Sequence, residues 1–125
     1  MVITNEQLHE RLLEILNNCS AKSVTGAGRS GAIAAVYASH ILGIPFIPYK
    51  CKCPDKLRPI LIIDTAKQSG KTLRKAEKLY IREGDVIVKW AFNEPPRVKF
   101  WYEFFWGKGK YQSQEKERKG GIWNE

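Results

Sequence analysis

The stretch ILIIDTAKQSGKTL, residues 60–73, constrains the fold more than any other part of the chain. Ile60 to Ile63 is an unbroken apolar run, the pattern of a strand buried on both faces. The run ends in Asp64, and a short polar loop then closes on Ser69-Gly70-Lys71-Thr72. A helical pattern follows over Thr72 to Arg82, with Leu73, Ala76, Leu79 and Tyr80 on one side. A strand covered on both faces needs helices above and below it. The expected fold class is therefore α/β, a mainly parallel sheet flanked by helices.

The rest of the chain fits that frame. Thr4 and Gln7 have capping-box spacing, and Leu8, Leu12, Ile15 and Leu16 recur on one face. Residues 5–17 therefore read as an amphipathic helix. Lys22 to Thr25 reads as a short strand, residues 26–31 as a tight glycine loop, and Ala32 to Leu42 as a small-residue helix stopped by Gly43. Ile44 to Tyr49 reads as a second strand, with Pro45 and Pro48 placing it at an edge. CKCPDKLRP is a loop, Gly84-Asp85 a turn, Val86 to Phe92 a strand and residues 93–96 a loop. The aromatic segment Val98 to Trp106 reads as a last strand or an ordered hood. Residues 1–106 are expected to form one domain, and residues 107–125 a basic, polar, loosely packed tail.

Composition narrows the functional classes. No apolar run approaches the roughly 20 residues that span a bilayer. The N-terminus lacks the basic-then-apolar order of a signal peptide, so no membrane association and a cytoplasmic location are expected. Cys19, Cys51 and Cys53 fit no paired framework, and the Cys51-Lys52-Cys53 spacing has no partner residues nearby for a metal site. His9 and His40 sit on helical patterns without a partner and read as structural. A formal charge of +8 suits either a phosphorylated small molecule or a nucleic acid.

Two motifs in the chain imitate nucleotide-binding signatures. Gly26-Ala27-Gly28-Arg29-Ser30-Gly31 matches G-x-G-x-x-G, but a dinucleotide site also needs an acid about 20 residues on. The strand there, Phe46 to Lys50, has none. Ser69-Gly70-Lys71-Thr72 resembles the end of a Walker loop, but Thr65 stands where that loop needs its first glycine. What remains is that both glycine loops follow strands. In a parallel sheet they lie at the same carboxyl edge and can share one ligand.

Read together, the two loops resemble the type I phosphoribosyltransferases. The stretch ILIIDTAKQSGKTL is similar to that family's strand–acid–phosphate-loop signature for phosphoribosyl pyrophosphate (PRPP), with Asp64 at the first acid. By this resemblance Asp64 holds ribose hydroxyls and contributes indirectly to a magnesium site. Gln68, Ser69, Gly70, Lys71 and Thr72 wrap the 5′-phosphate, as hydroxyls and amides at a helix N-terminus can. Gly28, Arg29, Ser30 and Gly31 match the family's pyrophosphate loop, and Arg29, Lys67 and Lys71 supply positive charge for the leaving group. Trp101-Tyr102-Glu103-Phe104-Phe105-Trp106 resembles the W-I-x-x-P-W segment of the 6-oxopurine members, in which it covers the base. Trp101 and Tyr102 are the implied base-framing pair.

The chain departs from that pattern at defined points. The second acid of the signature is Thr65, whose hydroxyl is still expected to hydrogen-bond the ribose of PRPP, and Gln68 occupies the position of the acid beside purine N7. An amide takes up no proton at neutral pH. The lysine that reads the purine 6-oxygen aligns at or near Phe92; Lys89 falls on the opposite face of the same strand. The implied activity is a magnesium-dependent transfer of ribose 5-phosphate from PRPP to a nitrogenous base, a purine first, with a homodimer as the assembly. The alternative is a non-catalytic module of the same fold that senses a nucleotide or binds nucleic acid.

Overall fold

The structure is a computed structural model and describes residues 2–94 and 98–104. The basic tail at 107–125 and the end of the aromatic segment, Phe105 and Trp106, lie outside the described residues.

A central sheet is built from β2 (Ser23–Thr25), β3 (Ile60–Lys67) and β4 (Val86–Asn93), in the order β2-β3-β4 and parallel throughout. Helix α2 (Gly28–Leu42) connects β2 to the β3 side, and α3 (Lys71–Ile81) connects β3 to β4. Helix α1 (Asn5–Ile15) precedes them. A second, two-residue ladder pairs β1 (Val2–Ile3) with β5 (Lys99–Phe100), also parallel. Among the described residues no helix is long and apolar enough to cross a membrane.

The apolar run does what its pattern requires. Ile60, Leu61, Ile62 and Ile63 are all 0% exposed. Leu61 and Ile63 pack with Leu8, Leu12, Ala34, Ala35 and Ala38, so α1 and α2 cover one face. Ile60 and Ile62 pack with Leu73, Ala76 and Tyr80 of α3 on the other. Burying four such side chains stabilises by about 6–12 kcal/mol, the scale of a whole domain's net stability. β3 therefore anchors both layers.

The capping box forms: Thr4 Oγ1 accepts from the Gln7 amide at 3.2 Å, and Gln7 Oε1 accepts from the Thr4 amide at 2.8 Å. Arg11 ties α1 to β4 by donating from Nε to the Ala91 carbonyl at 2.7 Å. Gly43 ends α2 in the left-handed conformation, φ 65° and ψ 38°.

Three boundaries differ from the sequence reading. Ile44 to Tyr49 makes only one bridge, Phe46 to Val24, because Pro45 and Pro48 have no amide to extend a ladder. β3 runs four residues past Ile63 to Lys67, because Ala66 and Lys67 pair with Phe92 and Asn93 of β4. The phosphate loop is thereby shortened to residues 68–70. Helix α2 starts at Gly28 rather than Ala32, so most of the first glycine loop is helical. The chain turns in so tightly that a Cβ on Gly26 would lie 2.0 Å from the Gly31 carbonyl oxygen.

Candidate functional site

Three strand ends converge at the carboxyl edge of the sheet. β2 leads into the N-terminus of α2, β3 into the N-terminus of α3, and β4 into Glu94. The glycine loops do meet at this edge.

The first feature is a cavity of about 170 Å³ lined by Asp64, Lys67, Gln68, Ser69, Gly70, Lys71, Thr72 and Glu94. Gly70 adopts φ 78°, a conformation that side chains disfavour, and this turns the chain into α3. The Ser69 hydroxyl accepts from the Lys71 amide at 3.3 Å. Arg74, one turn into α3, donates to the Ser69 carbonyl at 3.0 Å and fixes the loop from below. Lys67 Nζ sits 4.1 Å from the centre of the Trp90 ring, a cation–π contact that orients the ammonium. The Lys67 carbonyl accepts from the Glu94 amide at 2.8 Å, which brings that acid to the cavity wall.

Among the described residues, Asp64 carries the most perturbed carboxyl group. Burial pushes its pKa from 3.8 to about 6, against the lowering effect of the Thr65 amide, which donates to Oδ1 at 2.7 Å. Asp64 is thus ionised at neutral pH but close to its titration range. A carboxylate held at that cost in a cavity with two lysines is a functional-site signature.

Asp64 and Thr65 point to opposite faces of β3, as adjacent strand residues must. Thr65 is 2% exposed and turns toward Tyr102, whose hydroxyl lies 3.5 Å from Thr65 Oγ1. The same Tyr102 hydroxyl lies 2.8 Å from Ser30 Oγ. Burial raises the Tyr102 pKa, so the group stays protonated and available as a donor. Arg29, Ser30, Tyr102 and Glu103 line a second cavity of about 230 Å³.

The structure thus brings Asp64, Lys67, Gln68, Ser69, Gly70, Lys71 and Thr72 around one cavity, and sets Arg29 and Ser30 on the next. Gly28 and Gly31 shape the first turn of α2. Phe92 packs against Phe100, with ring centres 5.9 Å apart, and Tyr102 stacks on Phe100 at 5.5 Å. Trp101 stands edge-on to Tyr102 at 5.0 Å and is half-buried. Sequence reasoning missed Glu94, Arg74 and the Tyr102 clasp. Glu94 had a signal, an acid at the end of an apolar strand, the same one that marks Asp64.

Magnesium fits this site only with help from a ligand. Among the described residues no group of three or more His, Cys, Asp or Glu could cage a metal. Asp64 and Glu94 on one cavity supply two hard oxygen donors, the number with which Mg²⁺ is commonly held beside substrate phosphates.

No family model matches the sequence, and no curated protein matches it. Solved structures do. The chain is similar to a purine phosphoribosyltransferase from Pyrococcus horikoshii, at 21% identity and a TM-score of 0.66, over 80% of this chain and 91% of that one. It is similar to the xanthine-guanine-hypoxanthine phosphoribosyltransferase of Helicobacter pylori, at 14% identity and 0.66, over 90% and 95%. An orotate phosphoribosyltransferase from Aeropyrum pernix matches at 12% identity and 0.59, over 83% and 75%. Enzymes named for different bases match this one backbone, with the strand ends and helix N-termini arranged as described: the chain has the fold of the type I phosphoribosyltransferases.

Proposed function

We propose that the chain binds PRPP and transfers its ribose 5-phosphate to a ring nitrogen of a nitrogenous base, a purine first. The observation that supports this most is the cavity in which the loop opening α3 meets Asp64 and Lys67. Ser69, Thr72 and the α3 N-terminus suit a phosphate dianion. Asp64, once ionised, accepts hydrogen bonds from ribose hydroxyls. Arg29 and Ser30, with the α2 N-terminus, receive the pyrophosphate.

In the step itself the bond from ribose C1 to the pyrophosphate oxygen breaks, and the electron pair leaves with pyrophosphate. The base nitrogen forms the new bond to C1 and loses its proton to water. Lys67 and Lys71 stabilise the charge that develops on the phosphates, and positioning supplies much of the rate. Gln68 cannot take the proton, so general-base help worth about 10²–10⁴-fold is not available from that position. Asp64 and Glu94 would hold magnesium, which would supply charge neutralisation to the pyrophosphate. Trp101 covers the base, held edge-on by Tyr102. The reading carries with it a cytoplasmic location and a homodimer.

The test is pyrophosphate release from PRPP across a panel of purine and pyrimidine bases, with Asp64→Asn as control. Release with one base, lost in the control, supports transfer and identifies the acceptor. The amide at Gln68 and the turned-away Thr65 favour a second reading, a nucleotide- or nucleic-acid-binding module of the same fold. Salt-sensitive binding with no release from any base selects that reading.

A further inference from the structure

The opposite edge of the sheet carries a basic cavity that the proposed transfer does not use. Its volume is about 260 Å³, and its wall includes Lys50, Lys52, Arg58 and Arg82, with Glu83 as the one carboxylate. Arg58 precedes β3 and Arg82 follows α3, so the cavity lies at the amino end of β3. Asp64 lies four residues along β3 from Ile60, which at about 3.3 Å each is roughly 13 Å. A ligand here is distinct from one at Asp64.

The cavity is built rather than incidental. Arg58 is 9% exposed, and its guanidinium is held by Nη1, which donates to the Tyr80 carbonyl at 2.7 Å. Its Nε has no hydrogen-bond partner among the described residues. A buried guanidinium N–H left unpaired is costly. The loop above is pinned by Tyr80, whose hydroxyl accepts from the Lys50 amide at 2.8 Å and donates to the Cys51 carbonyl at 3.0 Å. Lys50 takes φ 77° there, a left-handed conformation uncommon for a residue with a side chain. Among the described residues no carboxylate forms an ion pair with Lys50, Lys52, Arg58 or Arg82. Four cations against one carboxylate leave an uncompensated positive field in a concave site.

We propose that this cavity binds a small phosphate-bearing anion, a phosphomonoester or pyrophosphate, as a second ligand of the protein. Its volume falls below the roughly 300–1,000 Å³ of sites for drug-sized molecules, which selects a small ligand. Guanidinium and ammonium donors arranged around one concavity are the chemistry that recognises phosphate.

Cys51 is exposed on the same wall and reports occupancy without reference to activity. The experiment follows alkylation of Cys51 in the full chain by peptide mass analysis, with Cys19 as internal control. Pyrophosphate is the probe, against sodium chloride of equal ionic strength. Pyrophosphate is expected to slow alkylation at Cys51 by about threefold or more, through exclusion of the reagent, and to leave Cys19 unchanged. Lys52→Ala with Arg82→Ala, both exposed positions, is expected to weaken that protection by about tenfold in midpoint concentration. Equal slowing by sodium chloride overturns the proposal, as does protection unchanged in the double variant. Protection by a short RNA but not by pyrophosphate also overturns it, in favour of a nucleic-acid surface.

Discussion

Tyr102 and Ser30 share a hydrogen bond of 2.8 Å that joins the aromatic segment to the first turn of α2. Ser30 belongs to the loop proposed to receive pyrophosphate, so a ligand that uses its hydroxyl must compete with Tyr102.

Tyr102→Phe removes that competitor and keeps the ring stacked on Phe100. The lost hydrogen bonds are expected to lower stability by about 0.5–1.5 kcal/mol. PRPP binding is expected to tighten by about 2- to 10-fold, because Ser30 no longer has to be released. Calorimetric titration with PRPP reads the affinity. Weaker binding would show instead that the Tyr102 hydroxyl contacts the ligand.

Asp64 makes stability and ligand binding respond to pH in opposite senses. Its folded pKa of about 6 lies above its ordinary 3.8, so the folded state favours the protonated form. The ionised carboxylate therefore lowers stability above pH 6, and this cost is relieved as pH falls from about 6 toward 4. Two pKa units correspond to at most about 3 kcal/mol. Asp64→Asn is expected to raise the melting temperature at pH 7 and to lose that advantage near pH 4. PRPP binding by the parent chain is expected to weaken below pH 6, where Asp64 gains a proton, and the Asn variant should lack that titration. Thermal melts and PRPP titrations across pH 4–8 measure both.

The two glycines that shape the loops differ in what surrounds them. A Cβ on Gly26 would meet the backbone of Gly31 at 2.0 Å, where nothing flexible can give way. Gly26→Ala is expected to destabilise by about 1–3 kcal/mol or more and to displace the first turn of α2. At Gly70 the nearest atoms, at 3.0 Å, are the mobile ends of Arg74 and Lys67, so Gly70→Ala is limited to the conformational cost of about 1–2 kcal/mol. Chemical denaturation of the two variants should rank them in that order. The reverse order would mean that the tight approach at Gly26 relaxes easily.

Glu94 is the second carboxylate on the Asp64 cavity. Glu94→Gln keeps an acceptor for the Val98 amide, which Glu94 Oε2 holds at 2.8 Å, but removes the charge. The magnesium concentration that half-saturates PRPP binding is expected to rise by about tenfold or more. An unchanged requirement would leave Asp64 and the ligand's own oxygens as sufficient.

The sequence was most legible where one physical demand dominated. The run Ile60 to Ile63 could only be a doubly covered strand, and Thr4 with Gln7 could only sensibly open a helix. The glycine loops were legible as a pair because both follow strands. Their lengths were not, because helix and strand ends are set by partners far along the chain. Ala66 and Lys67 become strand only through Phe92 and Asn93. The Tyr102 clasp was invisible for the same reason: it joins residues that no local pattern links. Val2 and Ile3 carry too short a signal to be read as a strand without Lys99 and Phe100.

That short ladder has a consequence for the order of assembly. The pairing of Val2 with Lys99 closes a loop containing nearly all of the described chain. Such a contact brings the largest chain-closure entropy and forms only when the intervening layers are in place. The ladder is only two residues long, but Ile3 and Phe100 are buried in the core, so undoing it also exposes that core. The segment bearing Trp101 and Tyr102 is therefore the last part to dock, and the carboxyl-edge site is completed only when the core around β3 is already in place.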